Sequence, residues 1–245
     1  MRNGLLLFAR YAFAPNKLGY CGPGDFESLF GYLTENESDP GLRELAQKFD
    51  GAYPYLQLIA AANGLHDPFD PRVVEAYWVG NEHLERVEAS PFFASLRERF
   101  LPRVGSRELS SMTASLETGA KPHHNFHVFE VYRRAGLLRD ARATIALERM
   151  DQCRISWGRV VHQEDADVVV ERSPLVMRDG KLQLGHPERA KVQRQLNGHG
   201  YLDELRPGDV VSIHWNWACD RLSDHSLRNL VRCTRRAITS TNMTL

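Results

Sequence analysis

Cysteine is scarce in this chain, and no short motif joins the few that it has. Cys21, Cys153, Cys219 and Cys233 lie far apart, without a C-x-x-C pair. This spacing argues against a structural zinc knot, which needs paired cysteines close in sequence. We expect free thiols in a reducing compartment. Any metal site then has to gather its ligands from distant segments.

Net charge and long apolar runs are absent as well. The 31 Lys and Arg residues balance 31 Asp and Glu residues, so no basic surface predicts nucleic acid or an anionic membrane as a partner. No segment approaches the roughly 20 apolar residues of a membrane helix. The opening apolar run resembles a signal peptide, but Arg10 interrupts it before a cleavage site. We expect a cytoplasmic protein that binds neither nucleic acid nor membrane.

The first part of the chain has the pattern of helices. The 245 residues could form one large domain or two modest ones. Asp70 is typical of an N-cap and Pro71 of a first helical residue, while Gly80-Asn81 divides or kinks the helix that they begin. The pattern predicts a mainly helical domain over residues 1–149.

After residue 150 the period becomes that of strands. Short segments rich in Val and Leu are separated by the turn pairs Asp179-Gly180, Asn197-Gly198 and Pro207-Gly208. A last helix is predicted to begin at Ser223. The fold class is therefore α+β: the helical domain is followed, over residues 150–245, by a small antiparallel β-barrel of OB-like form with a closing C-terminal helix.

One predicted strand of this barrel, "GDVVSIHW", carries a histidine among apolar residues. Side chains alternate along a strand, which groups Val211, Ile213 and Trp215 on one face and Val210, Ser212 and His214 on the other. We expect His214 to project from the outer surface of the barrel. The alternative is a structural histidine in the core.

Two motifs of this half resemble the small hydrogenase-assembly chaperones of the HypC/HupF type. The first has a cysteine followed by a glycine five residues on and a valine seven residues on, here Cys153, Gly158 and Val160. The second is a strand with the residues Gly208, Asp209, Val211, His214 and Ala218. The motifs stand in the family's order, and the resemblance covers roughly residues 150–238.

The resemblance implies both a fold and a function. These chaperones are little barrels with a C-terminal helix. They carry iron with its cyanide and carbon monoxide ligands between assembly factors and the large-subunit precursor of nickel-iron hydrogenase. Cys153 would be the iron ligand or docking thiol, and His214 its supporting group. A thiolate is a soft, strongly donating ligand, and a neutral imidazole suits the same ion.

The chain also departs from that family. Cys153 is internal, whereas the family's cysteine is the chain terminus and offers a free amine. Trp157 replaces the proline before the glycine, and Arg154 and Ser156 replace apolar residues. A purely structural thiol is therefore the alternative at Cys153. The N-terminal half is similar to an uncharacterised bacterial family whose genes can lie near hydrogenase genes, which supplies no activity.

A second cysteine candidate lies in the helical half. Cys21 is followed by Gly22-Pro23 and precedes a predicted helix start at Asp25. Amide groups at a helix N-terminus stabilise a thiolate, so this position predicts a lowered thiol pKa. The alternative is a small residue buried under a loop.

Three histidines form a further candidate site. On a helix, His123 and His127 lie four residues apart and could share a metal ion, with Glu130 completing the set. Solvated or capping histidines are the alternative. The candidate metal ligands are thus Cys153, His214, His123 and His127.

Three functions follow from these candidates. The first is an accessory factor in nickel-iron hydrogenase maturation, with the Cys153 thiol and the His214 imidazole together at an accessible rim. The second is a thiol enzyme with Cys21 as nucleophile, His124 or His127 as base, and Asn125 or Glu130 orienting the imidazole. The third is a binding module without chemistry.

Overall fold

Helices form most of the first 150 residues in a computed structural model, which describes residues 2–132, 143–202, 204–243 and 245. The helices are α1 (Gly4–Lys17), α2 (Phe26–Glu35), α3 (Pro40–Gln47), α4 (Tyr53–Ala62), α5 (Pro71–Trp78), α6 (Glu82–Glu85), α7 (Ala89–Thr113), α8 (His124–Phe126), α9 (Ala143–Cys153) and α10 (Asp224–Asn242). A 3₁₀ turn (Ala114–Leu116) follows α7, and a π-helical segment (His127–Tyr132) follows α8. Together with the strands below, they confirm the α+β class.

The helix boundaries that the sequence predicts are confirmed at three places. The Asp70 carboxylate accepts a hydrogen bond from the Arg72 backbone N–H, which caps α5. Gly80 takes a φ of 95°, a conformation that glycine adopts without strain, between the end of α5 and the start of α6. Ser223 caps α10 by accepting from the backbone N–H of Ser226.

The second part of the chain contains a closed ring of strands and a separate hairpin. The strands are β1 (Ser156–Glu164), β2 (Asp167–Arg172), β3 (Leu175–Arg178), β4 (Lys181–Leu184), β5 (Glu188–Gln193), β6 (Val210–His214) and β7 (Trp217–Arg221). Five of them pair in the order β1-β2-β5-β7-β6, and β6 pairs in turn with β1. All these pairings are antiparallel except one parallel pair, Gln193 with Trp217. β3 and β4 form the hairpin.

The interior of the ring is a small apolar cluster that includes Val211 and Ile213 of β6. A Cβ atom on Gly158 would lie 2.7 Å from the Val170 Cγ2 atom and 3.2 Å from the Ile213 Cδ1 atom. The close approach of these side chains explains a glycine in the middle of β1. Because Val211 and Ile213 point inwards, His214 points to the other face, and the predicted alternation is confirmed up to that residue.

α1 connects the helical half to this outer face of the sheet. Nearly all of its residues are buried, which is typical of a helix that is apolar on every side. The Tyr11 hydroxyl lies 3.0 Å from the Ser212 Oγ atom, and Arg10 pairs with Asp220 at 2.8 Å. Among the described residues, no helix combines the length and the apolar character that crossing a bilayer requires. Because nearly all residues of α1 are buried, the opening apolar run forms a central helix of the core.

The predicted boundary between residues 149 and 150 falls inside α9. One apolar cluster contains side chains from both sides of it, among them Phe13 of α1 and Trp217 of β7, whose rings lie 4.8 Å apart. The hydrophobic contact between the two parts is therefore extensive. A division into two domains at this position stays a prediction.

Candidate metal centre

A cavity of about 390 Å³ lies where the helical half meets the end of β6. Its walls come from α1, residues 48–52, α5, α9 and the segments next to them. Residues that the sequence assigned to two separate sites all line it, namely Cys21, His124, His127, Cys153 and His214. The structure therefore gathers them around one space, and their roles stay predictions.

Cys153 contributes a thiol to this cavity from the last position of α9. The sequence predicted it at the start of a strand, but the helix continues through it and β1 begins only at Ser156. The Cys153 Sγ atom lies 3.8 Å from the His124 Nε2 atom. Burial raises the pKa of the Cys153 thiol to about 12, so without a cation nearby the sulfur carries its proton at neutral pH.

His214 lies at the end of β6 and is held by the first helix. Its Nδ1 atom donates to the backbone carbonyl of Tyr11 at 2.7 Å. Its Nε2 atom is buried and lies near the Cys153 backbone carbonyl, but makes no hydrogen bond of normal geometry. The residue is only 1% exposed, so the prediction of an outer surface position is wrong, because α1 covers that face of the sheet. Burial lowers the pKa of His214 to about 4, which keeps the imidazole neutral.

His124 comes from α8 and contacts both the thiol and the second imidazole. Its Nε2 atom donates to the Cys153 carbonyl at 2.8 Å, and the Tyr77 hydroxyl donates to its Nδ1 atom at 3.3 Å. Its ring centroid lies 5.0 Å from that of His214. Burial, followed by the neighbouring His214, lowers the pKa of His124 well below its usual value.

These three residues form a cluster of potential metal ligands. One ligand atom each from His124, Cys153 and His214 lies within 4.8 Å of the other two. Bonds of about 2.0–2.3 Å in a tetrahedral site place ligand atoms roughly 3.3–3.6 Å apart, so side-chain shifts of about 1 Å would close the cluster. The expectation that folding brings the Cys153 thiol and the His214 imidazole together is confirmed. Their predicted position at an accessible rim is wrong, because His214 is buried and Cys153 is half-buried.

His123 does not join the cluster. The sequence predicted that it shares a helix face with His127, but His123 precedes α8 in an extended conformation (φ −96°, ψ 155°). Its Nδ1 atom accepts from the backbone N–H of Asn125 at 3.0 Å, so it caps the helix. It faces a small second cavity together with Glu130. The i, i+4 geometry of the predicted metal pair is therefore absent.

His127, Glu130 and Asn125 occupy separate places. The His127 ring lies 6.2 Å from that of His124, and its buried Nδ1 atom makes no hydrogen bond. The Glu130 carboxylate accepts from the Thr241 hydroxyl at 3.4 Å. Asn125 donates to the Thr234 hydroxyl at 3.4 Å. Asn125 and Glu130 thus face α10 and do not line the cavity that contains Cys21.

Cys21 lines the cavity from the loop before α2, yet the predicted activation of its thiol is wrong. Burial raises the pKa of Cys21 to about 11, and the neighbouring Asp50 raises it further. The Cys21 carbonyl accepts from the Asn16 side chain at 2.8 Å. The helix N-terminus at Phe26 lies five residues beyond the thiol, and burial outweighs the dipole effect that the sequence suggested.

Comparison with known proteins identifies the family of the whole chain. The model of the "Family of unknown function (DUF6390)" matches residues 1–245. The chain belongs to this family. No curated protein and no solved structure matches it. The DUF6390 match thus establishes membership along the full length without assigning an activity.

Trp215 is a residue of this DUF6390 chain that the sequence placed wrongly. The alternation predicted it on the same face as Val211, but β6 ends at His214, and Trp215 begins a two-residue turn with positive φ at Trp215 (50°) and Asn216 (58°). A bulky residue with positive φ is uncommon, and such conformations concentrate at functional sites. The turn directs the indole into the cavity, where it stacks on Tyr20 with ring centroids 4.3 Å apart. Its side chain offsets a small part of the rise in the pKa of Cys153 that burial causes.

The donor set determines what the cluster could do. Two neutral imidazoles and one sulfur suit zinc, copper or iron, and do not suit magnesium or calcium, which prefer oxygen. Coordination through His124 Nε2 would require its proton to move to Nδ1, and this N–H could then donate a hydrogen bond to the Tyr77 hydroxyl oxygen. A bound cation would also favour the Cys153 thiolate, because the metal ligand is the deprotonated sulfur.

Proposed function

We propose that this protein binds a transition metal ion through His124, Cys153 and His214 and acts as an accessory factor in nickel-iron hydrogenase maturation. The observation that carries the proposal is the convergence of two imidazoles and a thiol, from three distant segments, at the wall of one cavity. Iron, as the unit with cyanide and carbon monoxide ligands or its precursors, is the cargo that the resemblance to the HypC/HupF-type chaperones favours.

The unpaired nitrogen of His214 supports a metal as the missing partner. Because the Tyr11 carbonyl can only accept, the proton of His214 is on Nδ1, and Nε2 presents a lone pair. A buried acceptor without a partner costs about 1–3 kcal/mol. Coordination would satisfy this atom. The same arrangement, in which one ring nitrogen is held by a backbone carbonyl, orients metal-binding histidines in proteins generally.

The positions of the motif residues support the link to hydrogenase assembly. Cys153 and His214 match the cysteine and the histidine of the HypC/HupF-type motifs. Both belong to the three-residue cluster. The closed pairing of five strands, with α10 following it, is compatible with the OB-like barrel of that family. Hydrogenase assembly proteins or the large-subunit precursor would then be the partners, in the cytoplasm.

Metal analysis and a genetic assay together test this proposal. The purified protein should bind about one equivalent of a transition metal, and Cys153→Ser should lose it, while Cys219→Ser, which removes a thiol outside the cavity, should retain it. In a hydrogenase-producing host, deletion of the gene should lower hydrogen uptake, and the Cys153→Ser gene should not restore it. Unchanged uptake after deletion contradicts the role in maturation.

A thiol enzyme is a second candidate because Cys21, His124 and His127 line the same cavity. The raised pKa of Cys21 opposes this role, since a nucleophilic cysteine needs its thiolate. Alkylation of the metal-free protein near neutral pH, with mapping of the modified residue, separates the two functions. Fast labelling confined to Cys21 favours the enzyme, and slow labelling of both cavity thiols favours the metal site.

A further inference from the structure

We infer that the cavity beside the cluster binds a small organic carboxylate, whose oxygen would serve as the fourth ligand of the metal; this inference rests on the proposed metal site. In the part of the chain that the structure describes, the cluster offers three ligand atoms. Zinc and similar ions take at least four ligands, and a site with three protein ligands leaves one position for an exogenous group.

Charge indicates that this exogenous ligand is an anion. For an ion that arrives without cyanide ligands of its own, two neutral imidazoles and one thiolate leave a divalent ion with a net charge of about +1 in a site where His214 is 1% exposed. An uncompensated buried charge is costly, and a monoanionic ligand removes it. A carboxylate is a good oxygen donor for this purpose.

The walls of the cavity indicate an organic body for the anion. Aromatic side chains surround the space next to the cluster, namely Tyr20, Phe49, Tyr77, Trp78 and Trp215. Ligand pockets of roughly 300–1,000 Å³ with mostly apolar walls and a few polar groups typically hold small organic molecules. At about 390 Å³, the cavity is at the lower end of this range and is larger than a metal ion requires. A flat apolar body fits such walls.

Cations at the mouth of the cavity add to the preference for an anion. Arg149 lies four residues before Cys153 on α9, and its guanidinium lies 5.9 Å from the ring centroid of Tyr20. Lys48 and Asp50 also line the cavity, and all three charged residues are exposed. Neither Arg149 nor Lys48 forms an ion pair within the described ranges. Arg149 can therefore pair with an incoming carboxylate.

Cobalt(II) bound to the full chain gives a direct test, because its visible spectrum reports the ligands of the ion. Benzoate serves as the probe and benzamide as its neutral isostere. Benzoate should change the cobalt spectrum saturably, and benzamide should bind at least roughly tenfold more weakly, since a neutral amide leaves the charge uncompensated. Arg149→Gln should weaken benzoate roughly fivefold, and Arg103→Gln, an exposed arginine on α7, should not.

The remaining outcomes overturn the inference in distinguishable ways. Cobalt binding without any response to benzoate overturns the carboxylate site and leaves the proposed metal site standing. A cobalt spectrum that changes in Cys21→Ser identifies Cys21 as the fourth ligand and likewise overturns it. Equal binding of benzoate and benzamide rules out a role for charge. Failure of the wild-type chain to bind cobalt overturns the metal site itself, and the carboxylate site with it.

Discussion

The His214 imidazole donates from Nδ1 to the Tyr11 carbonyl at 2.7 Å and so joins β6 to the first helix of the chain. These residues are separated by about 200 positions in sequence, yet their contact fixes which nitrogen of His214 is free. The free nitrogen, Nε2, lies beside the Cys153 thiol and the His124 ring. A backbone group in the helical half thus orients a potential metal ligand in the sheet.

Replacing this imidazole should remove metal binding without unfolding the protein. Loss of a group that only orients a ligand costs 10–100-fold in metal affinity, so His214→Ala, which removes a ligand, should lower the affinity by at least about 100-fold. His225→Ala, at an exposed position near the start of α10, is the matched control and should bind normally. Competition with a chromophoric chelator measures both variants. Equal affinities would exclude His214 from the site.

The ion pairs at the end of α9 should be essential for stability. Asp151 pairs with Arg154 at 2.8 Å and with Arg172, and it accepts from the Leu175 backbone N–H at 2.8 Å. Both arginines are buried, so removing the carboxylate leaves two uncompensated charges. Asp151→Ala should lower the free energy of unfolding by about 3–5 kcal/mol in urea denaturation.

An exposed carboxylate on the same helix provides the control for this prediction. Glu148→Ala should change the free energy of unfolding by no more than about 0.5 kcal/mol. A similarly small effect of Asp151→Ala would show that the network does not stabilise the turn from α9 to β1 that positions Cys153.

The glycine of the first motif should be required for packing. Gly158→Ala would place a methyl group 2.7 Å from Val170 Cγ2, and overpacking of this kind costs about 1–3 kcal/mol. In a Val170→Ala background, the cost of Gly158→Ala should fall by about 0.5 kcal/mol or more, because the nearest atom, Val170 Cγ2, is gone while Val170 Cβ, at 2.8 Å, remains. Thermal or urea denaturation of the four proteins measures this coupling, and an unchanged cost would refute the steric explanation.

Acid should destabilise the metal-free protein through its buried histidines. Burial lowers the pKa of His123 to about 3, whereas in the unfolded chain it is about 6.5. Below about pH 6.5 the unfolded state binds the proton and the folded state does not, so stability falls until the pH reaches the folded pKa. The contribution of His123 to this slope is at most about 1.4 kcal/mol per pH unit.

His123→Asn isolates this contribution, because asparagine also serves well as an N-cap. The variant should retain the cap of α8 but lose part of the fall in stability between about pH 6 and pH 4, as measured by urea denaturation at several pH values. If the two curves remain parallel, the titration of His123 does not contribute.

Local patterns predicted the elements of this fold better than its site. Asp70, Pro71 and Ser223 marked helix starts because capping depends on neighbouring residues alone. The meeting of Cys153 and His214 followed from the family resemblance. The proposed ligand role of His124 did not follow from the sequence, because no motif spacing links His124 to Cys153 across 29 residues. The exposure of His214 was misjudged for a related reason, since strand alternation does not indicate that α1 covers the outer face.

X-ray absorption of the zinc-loaded protein would identify the ligand atoms at the proposed cluster. Zinc should have one sulfur at about 2.3 Å and two imidazole nitrogens at about 2.0–2.1 Å, with the sulfur lost in Cys153→Ser and retained in Cys21→Ser. A spectrum with only nitrogen and oxygen around zinc, or one that Cys153→Ser leaves unchanged, would contradict the proposed cluster.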